Sequence, residues 1–140
     1  MKNTRILALL LALICAFSLI SCFDTPDTVE LWKNADYQID TTLGTGEKTV
    51  TVSVTAGEKT IVFTVNTNAD TLGAALLENG IVEGENGAYG LYIKRVNGIL
   101  ADYDIDQSYW GFYQNGEMMM VGVDGTVITG GESFELVYEK

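Results

Sequence analysis

The sequence predicts an α+β fold in which one helix packs across a mixed sheet. Three observations carry that prediction. Val50, Val52 and Val54 alternate with Thr51 and Ser53, and Ile61, Phe63 and Val65 alternate around Thr64; this period of two marks two strands, joined by a short turn at Ala56-Gly57. After Asn66 the period lengthens, and Leu72, Ala75, Leu76 and Asn79 fall at helical spacing. Asn68 or Asp70 is placed to cap that helix, and Gly80 stands where a left-handed C-terminal cap is favoured. Beyond the helix the pattern returns to strands, the last alternating Phe134, Leu136 and Tyr138 with Ser133, Glu135 and Val137.

Taken in order, each element has a local cause. Gly73 weakens the helix by about 1 kcal/mol relative to alanine, so a packing face must hold it. Ile81 to Gly90 is a glycine-rich connection with room for a short extended piece, and Leu91 to Val96 reads as a strand that Asn97-Gly98 turns toward Ile99-Leu100. Tyr109–Gln114 and Glu117–Val121 then flank Asn115-Gly116, a strong hairpin signal. Gly122 to Gly131 connects this hairpin to the last strand. Strand, strand, helix and then three or more strands is the order of a β-grasp, spanning residues 47–140 as one small domain.

Two segments precede it. Lys2 and Arg5 lead an apolar run from Ile6 to Ile20 that ends in Ser21-Cys22, the pattern of a secretory signal over residues 1–21. The run is shorter than the roughly 20 residues needed to span a bilayer, which disfavours a transmembrane helix. Residues 22–46 are rich in Asp and Thr, with only scattered apolar side chains. They read as an acidic tether, along which Trp32 either docks on the domain or lies exposed.

Composition excludes several functions. With residues 1–21 removed, six basic residues stand against nineteen acidic ones, a net charge of −13, which argues against nucleic acid as a partner. The chain has no histidine, so zinc sites and histidine-assisted nucleophiles lack their usual groups. Cys15 leaves with the signal, so no disulfide forms within the mature chain. Asp102, Asp104 and Asp106 imitate the start of a calcium loop, but Gln107 replaces the required glycine and Tyr113 the closing glutamate. The expectation is no metal site and no catalytic residue: carboxylate pairs such as Asp104 and Asp106 have no companion nucleophile.

The candidate site is the Asn115-Gly116 hairpin. It carries four aromatic residues and three consecutive methionines, and a strand apolar at successive positions presents side chains to both faces of a sheet. One set faces the core; the other must be covered by a second layer of the domain or by a flat ligand or partner. Tyr109, Trp110, Tyr113, Met118 and Met120, with Tyr92, are the candidate ligand-binding residues, each with core packing as its alternative role.

Several short motifs add a resemblance. Leu19-Ile20-Ser21-Cys22 resembles the lipobox of bacterial lipoproteins, which implies lipidation of Cys22 and anchoring to the outer face of a bacterial membrane. Thr71-Leu72, Leu77-Glu78-Asn79-Gly80, Gly90-Leu91-Tyr92-Ile93, Val96-Asn97-Gly98, Tyr109 to Tyr113, Asn115-Gly116, Val121-Gly122-Val123 and Gly130-Gly131-Glu132 together resemble the C-terminal domain of transcobalamin and intrinsic factor. The resemblance is nearer to the bacterial transcobalamin-like domains found on lipoproteins. It implies a soluble-ligand-binding β-grasp, the type with which the animal proteins cover one face of cobalamin; together with the lipobox it leads to a tethered module that captures cobalamin, another corrinoid or another planar amphipathic solute and delivers it to a membrane transporter. The other reading is a structural or adhesive surface domain that docks a protein or cell-wall partner through the same aromatic patch.

Overall fold

The computed structural model describes residues 26–140, with Pro26 described by its backbone alone; the signal segment and Cys22 lie outside the described residues. The fold is α+β, with two sheets where the sequence suggested one. The elements are α1 (Pro26–Trp32), β1 (Thr41–Leu43), β2 (Lys48–Ala56), β3 (Lys59–Thr67), α2 (Leu72–Glu78), β4 (Val82–Gly87), β5 (Gly90–Val96), β6 (Ile99–Leu100), α3 (Tyr103–Asp106), β7 (Tyr109–Gln114), β8 (Glu117–Met118) and β9 (Ser133–Glu139), with a 3-10 turn at Val123–Gly125. No helix among the described residues is long and apolar enough to cross a membrane.

The larger sheet runs β1-β3-β2-β9-β7-β8. β2 and β3 pair antiparallel, with Val52 opposite Phe63, and β9 lies parallel to β2, with Phe134 opposite Val52. Alternation does what the pattern requires: Val50, Val52, Val54, Phe63, Val65 and Leu136 are wholly buried together with Leu72, Ala75 and Leu76 of α2. The opposite face is hydroxylated, and Thr51 to Ser133 (2.7 Å) and Thr55 to Thr60 (2.8 Å) bond across strands. The smaller sheet, β4-β5-β6, arises because the glycine-rich connection after α2 forms a full strand, bulged at Glu83/Gly84. There the carbonyl oxygen of Tyr92 would lie 2.0 Å from a Cβ on Gly84, so the close approach requires glycine.

The cap of α2 is Thr71, whose hydroxyl accepts from the Ala74 amide at 3.3 Å. Asn68 and Asp70 are used elsewhere: Asn68 accepts from the Glu47 amide (2.9 Å), and Asp70 pairs with Lys48 (3.6 Å). At the other end Gly80 has φ +68°, and the Ile81 amide bonds back to Leu76 (3.0 Å), closing the helix with the glycine-dependent cap.

From Pro26 onward, the stretch expected as a spacer joins the folded body. Trp32 is buried, its indole N–H donates to the Ala56 carbonyl (2.9 Å), and the Lys59 ammonium sits 4.5 Å from its ring centroid. Tyr37 packs edge-on against Phe63 at 5.5 Å, and β1 adds to β3 as a parallel edge. The segment is too polar to build a core alone, yet its few apolar side chains find partners on the domain.

Asn97 fastens this segment. It is buried in the β5–β6 turn at φ 53°, and its side chain accepts from the Tyr37 amide (2.8 Å) and donates to the Tyr37 carbonyl (2.9 Å). Asn97→Ala should destabilise the protein by about 1–3 kcal/mol, because the Tyr37 amide loses its partner and alanine disfavours a left-handed backbone. Hydrogen exchange should show protection lost first at residues 35–38; unchanged protection there would refute this anchoring role.

Candidate functional site

The Asn115-Gly116 turn forms as its sequence requires, with both residues at positive φ (53° and 77°) and Gln114 opposite Glu117. The second strand is shorter than Glu117–Val121. β8 ends at Met118, the Met119 amide makes one more bond to the Phe112 carbonyl (2.9 Å), and the chain then leaves β7. Tertiary packing draws it away. Val123 is buried in the 3-10 turn beside α2, the Leu72 amide bonds the Thr126 carbonyl (2.9 Å), and Asp124 accepts from the Leu91 amide (2.9 Å).

This departure opens a cleft of about 320 Å³ between the two sheets. Leu91, Tyr92 and Ile93 of β5 form one wall, Trp110 and Phe112 of β7 lie opposite, and Met118 to Val123 complete it. β8 pairs only with Tyr113 and Gln114, so among the described residues β7 from Tyr109 to Gly111 has no ladder partner on the side away from β9. No lining residue carries a charge at neutral pH.

Five of the six candidate residues border this cleft: Tyr92, Tyr109, Trp110, Met118 and Met120. Trp110 is almost buried, its indole N–H donating to the Ile99 carbonyl (3.3 Å) and its ring edge-on to Tyr138 at 5.7 Å. Tyr92, Met118 and Met120 are exposed. Tyr113 is not part of the cleft. It lies on the face of β7 opposite Trp110 and Phe112 and donates its hydroxyl to Glu139; Tyr109 shares that face and still borders the cleft, at the end of β7 that β8 does not reach. Gly111 leaves the space: a Cβ there would stand 2.7 Å from the Tyr113 ring and 3.2 Å from the Glu139 carboxylate. Glu139 also engages Tyr109, raising its pKa by hydrogen bond and charge.

Sequence reasoning did not name Leu91, Ile93, Phe112, Met119, Val121 or Val123, all of which line the cleft. Met119 was legible in the methionine run. Phe112 was legible as the alternate of Trp110; Val121 and Val123 join because the chain leaves β7, and Leu91 and Ile93 because β5 of the second sheet faces it, which no local pattern encodes. The three aspartates that imitate a calcium loop instead build a turn: Asp102 accepts from the Asp104 amide (3.1 Å), and Asp106 accepts from the Ser108 amide (3.1 Å) and hydroxyl. The Ser108 bonds come first, and Lys140 second, in holding the Asp106 carboxyl below the usual carboxylate range.

Comparison with known proteins bears on the fold. The family model described as "Domain of unknown function (DUF4430)" matches residues 69–140. A crystal structure of a candidate metal-binding protein from Ruminococcus gnavus ATCC 29149 is similar at 37% identity and a TM-score of 0.63, covering 67% of this chain and 98% of that one. Haptocorrin in complex with Cbi is similar at 22% identity and a TM-score of 0.54; the match covers 70% of this chain but only 26% of haptocorrin. No curated protein matches.

Two predictions follow from this geometry. A Cβ on Gly73 would meet the Asp124 carboxylate at 2.2 Å and its backbone at 3.1 Å, so Gly73→Ala should lower the thermal midpoint, although alanine favours a helix interior by about 1 kcal/mol. A raised midpoint would show that the turn yields freely. The Glu139 hydrogen bond, followed by desolvation and the Glu139 charge, pushes the Tyr113 pKa up to about 12 from the ordinary 10.0. A pKa raised by folding means stability that is full below the unfolded value, so it should be lost as pH rises from 10.0 to about 12. In Glu139→Gln, ultraviolet titration should place the Tyr113 phenol nearer its ordinary value, and an unmoved titration would exclude Glu139 as the cause.

Proposed function

The chain belongs to the DUF4430 family, and from that premise we propose that it is a ligand-binding module whose cleft takes a flat, amphipathic solute, a corrinoid foremost. The observation that carries this reading is the uncharged cleft between the sheets, walled by aromatic rings and thioethers, with an unpaired strand edge beside it. A corrin is broad and apolar on its faces, with amides around its rim; rings and sulfurs suit the faces, and free backbone groups on β7 suit the rim. The likeness to haptocorrin supports the same architecture. We read that architecture as a β-grasp, in which the first strand of the leading hairpin, β2, lies parallel to the last strand, β9, with α2 between them in sequence.

At about 320 Å³ the cleft is near the small end of ligand pockets, so a corrin would lie over it. One covered face gives modest affinity, and a second protein, such as a membrane transporter component, would close the other. In the same proposal, lipidated Cys22 anchors the module outside a bacterial membrane, and the chain performs no catalysis. Among the described residues no group of three or more His, Cys, Asp or Glu is placed to hold an ion.

Calorimetry with cobalamin and cobinamide tests the proposal. Saturable heat is expected, and Tyr92→Ala and Met120→Ala, both at exposed positions, should each weaken binding by on the order of 1 kcal/mol. No heat with either corrinoid, with and without the transporter component, would overturn the corrinoid reading. The openness of the patch favours, second, an adhesive role for the same surface; crosslinks to one surface partner on intact cells, indifferent to added corrinoid, would support it.

A further inference from the structure

We propose that Met118, Met119 and Met120 form a binding site for a soft monovalent cation, Cu(I) or Ag(I). In a strand that continued past Met118, Met119 would point away from its neighbours. The ladder instead ends at Met118, the chain bends at Met120 and Val121, and all three methionines line the same cleft.

Burial does not explain Met118 or Met120, whereas Met119 is half-buried. Met120 is 96% exposed and Met118 55% exposed, so neither is held there by the core, and a cation in solution can reach both. Three uncharged thioethers make a poor site for calcium, magnesium or zinc, which take oxygen, nitrogen or thiolate donors. They suit Cu(I), which prefers soft sulfur and needs no balancing charge from its ligands. Among the described residues, no His, Cys, Asp or Glu lines the cleft to compete for the ion. Trp110 stands in the same cleft, its N–H already committed to the Ile99 carbonyl. The net charge of −11 raises the local concentration of any cation near the surface. This inference stands apart from the corrinoid reading, although the two share a wall, and its assay contains no corrinoid.

The test uses the purified protein under oxygen-free, reducing conditions with Cu(I) held by bicinchoninate. The parent should withdraw one equivalent and quench tryptophan fluorescence, and Ag(I) in chloride-free buffer should reproduce both effects. The triple variant M118L/M119L/M120L keeps apolar bulk but removes every thioether. Its affinity should fall by at least the roughly 10–100-fold that loss of a mere outer-shell partner costs a metal site. Circular dichroism checks that it folds, and M120L, at a position that contributes nothing to the core, should weaken binding even if the triple variant does not fold. The proposal is overturned if the parent withdraws no Cu(I), or if a folded leucine variant binds it as tightly as the parent.

Discussion

The burial of Val123 beside α2 is the constraint on which the cleft depends. With that side chain in the core, the chain between Met118 and Val123 runs away from β7, and the sheet edge it would otherwise have covered stays open. Gly73 permits the approach by presenting no side chain to Asp124. Asp124 in turn ties the turn to β5 through the Leu91 amide. A residue that weakens its own helix thus sets the spacing of a wall two elements away. The local cost and the tertiary gain fall on different parts of the chain.

The two faces of β7 solve the same problem differently. Trp110 and Phe112 face inward, against Tyr138 and Phe134, and Phe112 meets Phe134 at a ring separation of 5.8 Å. On the other face, Tyr109 and Tyr113 are held by one carboxylate above a glycine. A strand with aromatic residues at successive positions therefore needs no second apolar layer on its outer face: a tyrosine covers surface with its ring and satisfies its hydroxyl with a charged partner.

A domain this small buries limited surface, and its N-terminal segment enlarges the core. Trp32 seals the β2–β3 turn, Thr28 accepts from the Glu58 amide (2.9 Å), and Asn97 clamps Tyr37 from the second sheet. These contacts join the two sheets through a third piece of chain, holding in place the walls between which the cleft lies.

Local patterning was enough to determine most of the elements. Period-two alternation placed β2, β3 and β9, helical spacing and Gly80 placed α2, and the two Asn-Gly pairs placed their turns, because each of these depends on side chains within a few residues of one another. The aromatic and methionine content of the hairpin likewise marked a surface, and Tyr92, Tyr109, Trp110, Met118 and Met120 border one cleft. Which side of β7 each residue serves, why Tyr113 turns to Glu139, where β8 stops, and how a polar leader becomes part of the core were decided only by contacts between distant segments. Val123 with α2, Asn97 with Tyr37 and Glu139 with Tyr113 are such contacts. Their energies depend on which surfaces meet after folding, and no window of neighbouring residues contains that information.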